Sequence, residues 1–134
     1  MAYKRLWTFI KFSWTRKLFF KAVYEILPRL DGKGDWHFMN YGYSPSKEEA
    51  QKMKKPEKRK LQQYPMQMYH YLACCVELDN LNMLEVGSGR GGGANYIAGN
   101  FNPKLIIGLD FSSAAIKLAK SMFSKANLKY QEGN

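Results

Sequence analysis

Two carboxylates frame the chemistry this chain can do. Glu85 stands two residues before a turn that holds Gly87, Gly89, Gly91, Gly92 and Gly93, and Asp110 follows about 20 residues after the turn. Glycine lets the backbone take positive φ and lets a ligand lie against bare main chain, while a helix starting beyond the turn offers unpaired N–H groups. Gly87, Gly89 and Gly92 meet the G-x-G-x-x-G spacing of dinucleotide sites, and Asp110 lies where a ribose-binding acid belongs, so the spacing alone permits NAD. Glu85 argues the other way. A carboxylate pointed at the turn repels a pyrophosphate and suits a cationic ligand.

The elements that must position these groups alternate. Met83–Val86 reads as a strand, 92–99 as a helix, 105–109 as a buried strand ending at Asp110, 113–124 as a helix begun by Ser112-Ser113, and 127–131 as a third strand. Strand and helix units in this order imply a parallel sheet with right-handed crossovers, hence an α/β fold. Ahead of them, Gln62–Leu78 reads as a helix that tolerates Pro65 in its first turn. Its stripe of Met66, Tyr69, Leu72, Ala73 and Val76 would pack on the sheet. Cys74 and Cys75, within that helix, are expected to be reduced and buried; adjacent cysteines make a poor disulfide, and no metal-ligand spacing is present.

The stretch Leu84-Glu85-Val86-Gly87-Ser88-Gly89-Arg90-Gly91 resembles the first motif of class I S-adenosylmethionine-dependent methyltransferases. The donor of that family carries a sulfonium and an ammonium and no phosphate, which agrees with Glu85. The resemblance implies a Rossmann-like methyltransferase fold, present here in part as its first three parallel strands. It implies that Glu85, Gly87, Ser88, Gly89 and Gly91 hold S-adenosyl-L-methionine, that Asp110 grips the ribose hydroxyls, and that Phe111 lies on the adenine. Leu128 to Asn134 resembles the third strand and the pair that meets the adenine amino group, a role that would fall to Asn134. In the family an Asn-x-Gly-aromatic segment packs near the donor, so Tyr41 and Tyr43 are expected to line the pocket. Phe38 to Tyr41, Tyr69-His70 and Gly91-Gly92-Gly93-Ala94 bring the likeness nearest to phthiotriolone-type lipid methyltransferases, which implies a lipid or small hydrophobic methyl acceptor. A hydroxyl acceptor would need a base. Of the two histidines, His37 and His70, the resemblance covers His70, which makes it the candidate catalytic residue.

The rest of the composition sets bounds. With 134 residues and 46% apolar content the chain suits one globular domain. Its charge is uneven: residues 1–60 hold 15 Lys or Arg against 6 Asp or Glu, while 61–134 hold 6 against 5. The chain therefore divides into a basic aromatic helical arm at 1–35, an aromatic cap segment and charged connector at 36–60, and the start of the nucleoside-binding domain at 61–134. In the arm, Tyr3, Leu6, Ile10 and Trp14 share one helical face and Lys4, Thr8, Lys11 and Thr15 another, a pattern that blurs after Lys17. Aromatics beside basics suit either a helix covering the substrate side or one lying in a membrane interface, so residues 3–30 are a candidate peripheral membrane contact. Asp31 to Asp35 reads as a turn. Lys54 to Lys60 is a solvated run without stacking aromatics, which makes nucleic acid an unlikely ligand. Cysteine usage and the lack of a signal-peptide pattern lead to the expectation of a cytoplasmic protein, with membrane association through residues 3–30 as the added option. The family's sheet carries further strands, so the chain is expected to be truncated or to complete its sheet with a second chain. Two other readings stand beside the methyltransferase: a non-catalytic remnant that serves as a binding or assembly partner, and an NAD-binding oxidoreductase fragment.

Overall fold

Leu105 to Leu109 is apolar but for Gly108, and a strand of that kind is stable only with neighbours on both sides. It becomes the middle of the sheet. The computed structural model describes residues 13–30, 36–44, 46 and 60–133. In chain order its elements are α1 (Ser13–Leu30), α2 (Lys60–Ala73), β1 (Asn82–Val86), α3 (Gly92–Asn100), β2 (Leu105–Asp110), α4 (Ser113–Met122) and β3 (Leu128–Glu132). The strands pair in parallel in the order β1, β2, β3, with Glu85 level with Gly108 and Asp110 level with Glu132. This is the Rossmann-like α/β arrangement, in part, preceded by a helical arm.

Side chains alternate across a strand, so the register sorts the sheet into two faces. Met83 and Glu85, then Ile106, Gly108 and Asp110, then Leu128 and Tyr130 share one face. Helices α3 and α4 cover it, and Ala94, Ile97, Ala98, Ile116 and Ala119 join Ile106, Leu128 and Tyr130 in one core. The opposite face carries Leu84, Val86, Ile107 and Leu109. It is open at β1, where Leu84 is 60% and Val86 75% exposed.

Helix α4 begins where the sequence places it. Ser112, in extended backbone, accepts the Ala115 N–H on its Oγ at 3.2 Å, the N-cap geometry that satisfies one of the first orphan donors. The next donors are taken from far away in the chain. Glu25 of α1 accepts the N–H groups of Ser113 at 2.8 Å and Ala114 at 3.3 Å, a carboxylate set at the positive end of the helix dipole. That clamp, with the packing of α1 on α4, docks the arm on the sheet domain.

Two expectations are corrected. Helix α2 runs Lys60–Ala73 and not to Leu78, because its last turn tightens: Cys74 N–H still reaches His70 O, whereas Cys75 N–H reaches back only to Leu72 O. The 3.6-residue phase is lost there. Ala73 and Leu78 are buried, while Leu72 and Val76 of the expected stripe are exposed. Cys74 and Cys75 are likewise exposed rather than buried. In the arm, α1 spans Ser13–Leu30, and Leu18, Phe19, Ile26 and Leu30 are exposed on it. The stripe from Tyr3 to Ile10, the turn 31–35, most of the connector 44–60 and Asn134 lie outside the described residues.

Candidate functional site

The site forms where β1 and β2 end. The turn after β1 is pinned to β2 because the N–H groups of Gly87 and Ser88 both donate to Leu109 O, at 2.8 and 2.9 Å. Gly87, Gly89 and Gly91 take φ of 75°, 53° and 81°, a region that costs an L side chain energy. Their surroundings differ. A Cβ on Gly87 would meet nothing within 4 Å, so bare backbone there faces open space. A Cβ on Gly91 would strike the Tyr130 ring at 2.6 Å, one on Gly92 the carbonyl of His37 at 2.6 Å, and one on Gly93 the ring of Tyr69. Gly87 leaves room for a ligand; the later glycines admit aromatic side chains and neighbouring backbone.

Glu85 and Asp110 project from the same covered face at the ends of neighbouring strands. Glu85 Oε1 accepts the Tyr69 hydroxyl at 2.5 Å. Its Oε2 is buried and takes no hydrogen bond among the described residues. Burial raises the Glu85 pKa above the usual carboxylate range; the hydrogen bond from Tyr69 and the backbone of Ala94 pull it back in part, and the charge of Asp110 adds to the rise. Tyr69 and Tyr130 are both pushed up, by burial first and then by the charge of Glu85, so both are neutral phenols at ordinary pH. Tyr130 uses its hydroxyl to donate to Gly91 O at 2.6 Å.

Asp110 closes the other side. Its Oδ2 accepts the Gly89 N–H at 2.7 Å and its Oδ1 the Ser112 N–H at 2.9 Å. A carboxylate oxygen offers two lone pairs, so each keeps capacity for a further donor. Phe111 follows, half-buried. Ser88 is buried, and its Oγ has no hydrogen bond among the described residues. Buried oxygens without donors, carboxylates on either side and open backbone at Gly87 together suit a polar, positively charged guest.

The cap segment packs on the turn through other residues than expected. Trp36 O accepts Arg90 Nη1 at 2.9 Å, His37 O accepts the Gly92 N–H at 3.3 Å, and Met39 lies beside Gly89. Tyr41 stands fully in solvent and Tyr43 packs its ring on Tyr71 at 4.7 Å. The cause is Gly42, which has φ +84° and sits so closely on the backbone of Tyr64 that the chain turns toward α2 and away from the glycines. His70 faces outward from the two carboxylates' neighbourhood: Nδ1 lies 3.0 Å from the Tyr96 hydroxyl, Nε2 lies 3.5 Å from Cys74 Sγ, and the ring packs on Phe101. His37 sets its ring edge against Phe123.

Sequence reasoning missed Arg90, Tyr69 and Tyr130. Arg90 is only 1% exposed inside the turn, with its guanidinium 4.7 Å from the Trp36 ring centroid, a cation–π contact that fixes the cap segment. No metal-binding group of three His, Cys, Asp or Glu occurs among the described residues.

No protein-family model matches the chain. It is 36% identical over 116 residues to a fatty-acid O-methyltransferase of Mycolicibacterium smegmatis, covering 85% of this chain and 41% of that one. It is 30% identical over 135 residues to a phthiotriol/phenolphthiotriol dimycocerosates methyltransferase of Mycobacterium tuberculosis, covering 98% of this chain and 43% of that one. Among solved structures, the [4+2]-cyclase SpnF superposes with a TM-score of 0.61 at 18% identity, over 85% of this chain and 40% of that one. The chain thus spans about two fifths of the length of the relatives it matches. The resemblance to class I S-adenosylmethionine-dependent methyltransferases carried by its motifs is a resemblance of whole sequence and of fold, over that share of such a protein.

Proposed function

We propose that this chain forms the S-adenosylmethionine-binding part of a methyltransferase whose acceptor is a lipid or another small hydrophobic molecule. The observation that carries the reading is the pairing of Glu85 and Asp110 on one sheet face beside the open backbone of Gly87. The names of the two relatives, one acting on fatty acids and one on phthiotriol dimycocerosates, support the acceptor class. S-adenosylmethionine, when bound, supplies a methyl group on a sulfonium that leaves as a neutral thioether. The protein then has mainly to position donor and acceptor.

The roles follow from the residues. Glu85, already held by Tyr69, keeps Oε2 for the cationic end of the nucleoside. Asp110 takes the ribose hydroxyls, with Gly89 and Ser112 holding its carboxylate in place. Gly87, Ser88 and Gly89 form the floor, Phe111 lies against the adenine, and Asn134 would meet its amino group. No base is assigned, because both ring nitrogens of His70 are engaged by Tyr96 and Cys74. Helix α1 carries Arg16, Lys17, Lys21 and Arg29 against Glu25 and exposes Leu18, Phe19, Ile26 and Leu30, which supports contact with an anionic membrane surface. Failure to co-sediment with anionic vesicles at low salt would remove that contact. No helix among the described residues is long and apolar enough to cross a membrane.

Fold alone does not decide the chemistry, as the cyclase neighbour illustrates. Calorimetric titration with S-adenosylmethionine, S-adenosylhomocysteine and NAD therefore tests the reading. The first two bind, and Asp110→Ala weakens them about 10- to 100-fold, the value of hydrogen bonds to a charged group. Binding of NAD without S-adenosylmethionine would overturn the class, and binding of neither would leave the non-catalytic remnant.

A further inference from the structure

We propose that Cys74 is a base-assisted nucleophilic thiol, a modification site for small disulfides that lies outside the nucleoside site and does not depend on the reading above. Cys74 Sγ is 3.5 Å from His70 Nε2, and the other ring nitrogen, Nδ1, is 3.0 Å from the Tyr96 hydroxyl. Nucleophile, base and a third group that orients the base are the parts of an activated thiol. The imidazole is held from two further sides, with the Tyr96 ring edge-on at 6.1 Å and the Phe101 ring at 5.6 Å. Burial keeps the Tyr96 phenol above its ordinary pKa, so it serves as a neutral oxygen to Nδ1.

Cys75 is the built-in control. It is exposed like Cys74, but its Sγ donates to the Tyr71 carbonyl at 3.3 Å, which cannot take a proton away. Helical spacing explains the difference: His70 and Cys74 are four residues apart at the end of α2 and share a side of it, while Cys75 falls one position round.

The step is a thiol–disulfide exchange. With the imidazole proton on Nδ1 and donated to Tyr96 Oη, Nε2 takes the thiol proton as Cys74 Sγ attacks one sulfur of the disulfide. A new S–S bond forms to Cys74, the old one breaks, and the leaving thiolate recovers the proton from His70. The protein thiol is oxidised to a mixed disulfide and half of the small disulfide is reduced to a thiol.

The test uses the full chain with a chromogenic aromatic disulfide. Cys75→Ser leaves Cys74 alone and Cys74→Ser leaves Cys75 alone, and the second-order rates of the two are compared. Cys74 reacts about ten-fold faster or more, a threshold set below the roughly 100-fold and upward that a positioned base contributes in an enzyme. His70→Gln in the Cys75→Ser background lowers the rate to that of Cys75. Tyr96→Phe, which keeps the ring, lowers it in part, and it decides the role of orientation if His70→Gln does not fold. Equal rates for the two thiols overturn the proposal, as does a Cys74 rate that survives both His70→Gln and Tyr96→Phe.

Discussion

Gly93→Ala tests how the glycine turn is built, because two effects pull in opposite directions. Gly93 is the second residue of α3, and alanine in place of glycine within a helix ordinarily gains about 1 kcal/mol. Here the added methyl would fall on the ring of Tyr69. That ring is not free to swing, since it packs on Phe38 at 5.7 Å and donates its hydroxyl to Glu85 at 2.5 Å. Overpacking costs about 1–3 kcal/mol, and losing a hydrogen bond to a buried charged group costs about 1.5–3 kcal/mol more. The sum less the helix gain leaves a net loss of roughly 2–5 kcal/mol, a large share of the total for a domain. Urea unfolding should show a lower midpoint at unchanged m. The double variant with Tyr69→Leu, which vacates the space, should lose less than the two single variants combined. A Gly93→Ala protein more stable than the parent by about 1 kcal/mol would refute the reasoning, for it would mean that Tyr69 does not hold this position.

Two further outcomes follow from the same geometry. Because burial raises the Glu85 pKa, the folded protein holds a proton that the unfolded chain has released in the window just above the ordinary carboxylate range. Stability should therefore fall as pH rises through that window, Glu85→Gln should flatten the profile of urea midpoint against pH, and an unchanged profile would show that Glu85 is not the group. S-adenosylmethionine affinity should move the opposite way, increasing as Glu85 loses its proton, with no such step in Glu85→Gln. Removing the clamp on α4 by Glu25→Ala should cost about 1–2 kcal/mol, the scale of a lost N-terminal cap and its charge, and speed proteolysis within residues 13–30. Hydrogen exchange at Ser113 and Ala114 should quicken, and protection unchanged at both amides would mean that α1 is not docked through Glu25.

The strand and helix units were legible because the signals are local. Leu105 to Leu109 is an apolar run closed by an acid, Ser112 is a cap, and the glycine turn follows a short strand, so β1 to β3 appear within a residue or two of their expected bounds. What sequence did not disclose depends on residues far apart. Gly91, Gly92 and Gly93 look like ligand-facing glycines, yet their Cβ positions are taken by Tyr130, His37 and Tyr69, which lie 24 to 55 positions away in sequence. Arg90 gives no hint of burial until Trp36 is brought over it. The end of α2 was misjudged because Val76 and Leu78 continue an apolar rhythm that the tightened last turn interrupts.

The two faces of the sheet bear differently on function. Both carboxylates assigned to the nucleoside stand at the C-terminal ends of β1 and β2, on the face that α3 and α4 already cover. The apolar residues left open, Leu84 and Val86, alternate with Glu85 and so project the other way. A parallel sheet is ordinarily buried on both sides, so a cover over Leu84 and Val86 would add apolar burial and stability without touching the carboxylates. Cofactor affinity and resistance to unfolding are therefore separable here. A polar substitution at Val86 acts on the open face alone, whereas Asp110→Ala acts on the nucleoside site.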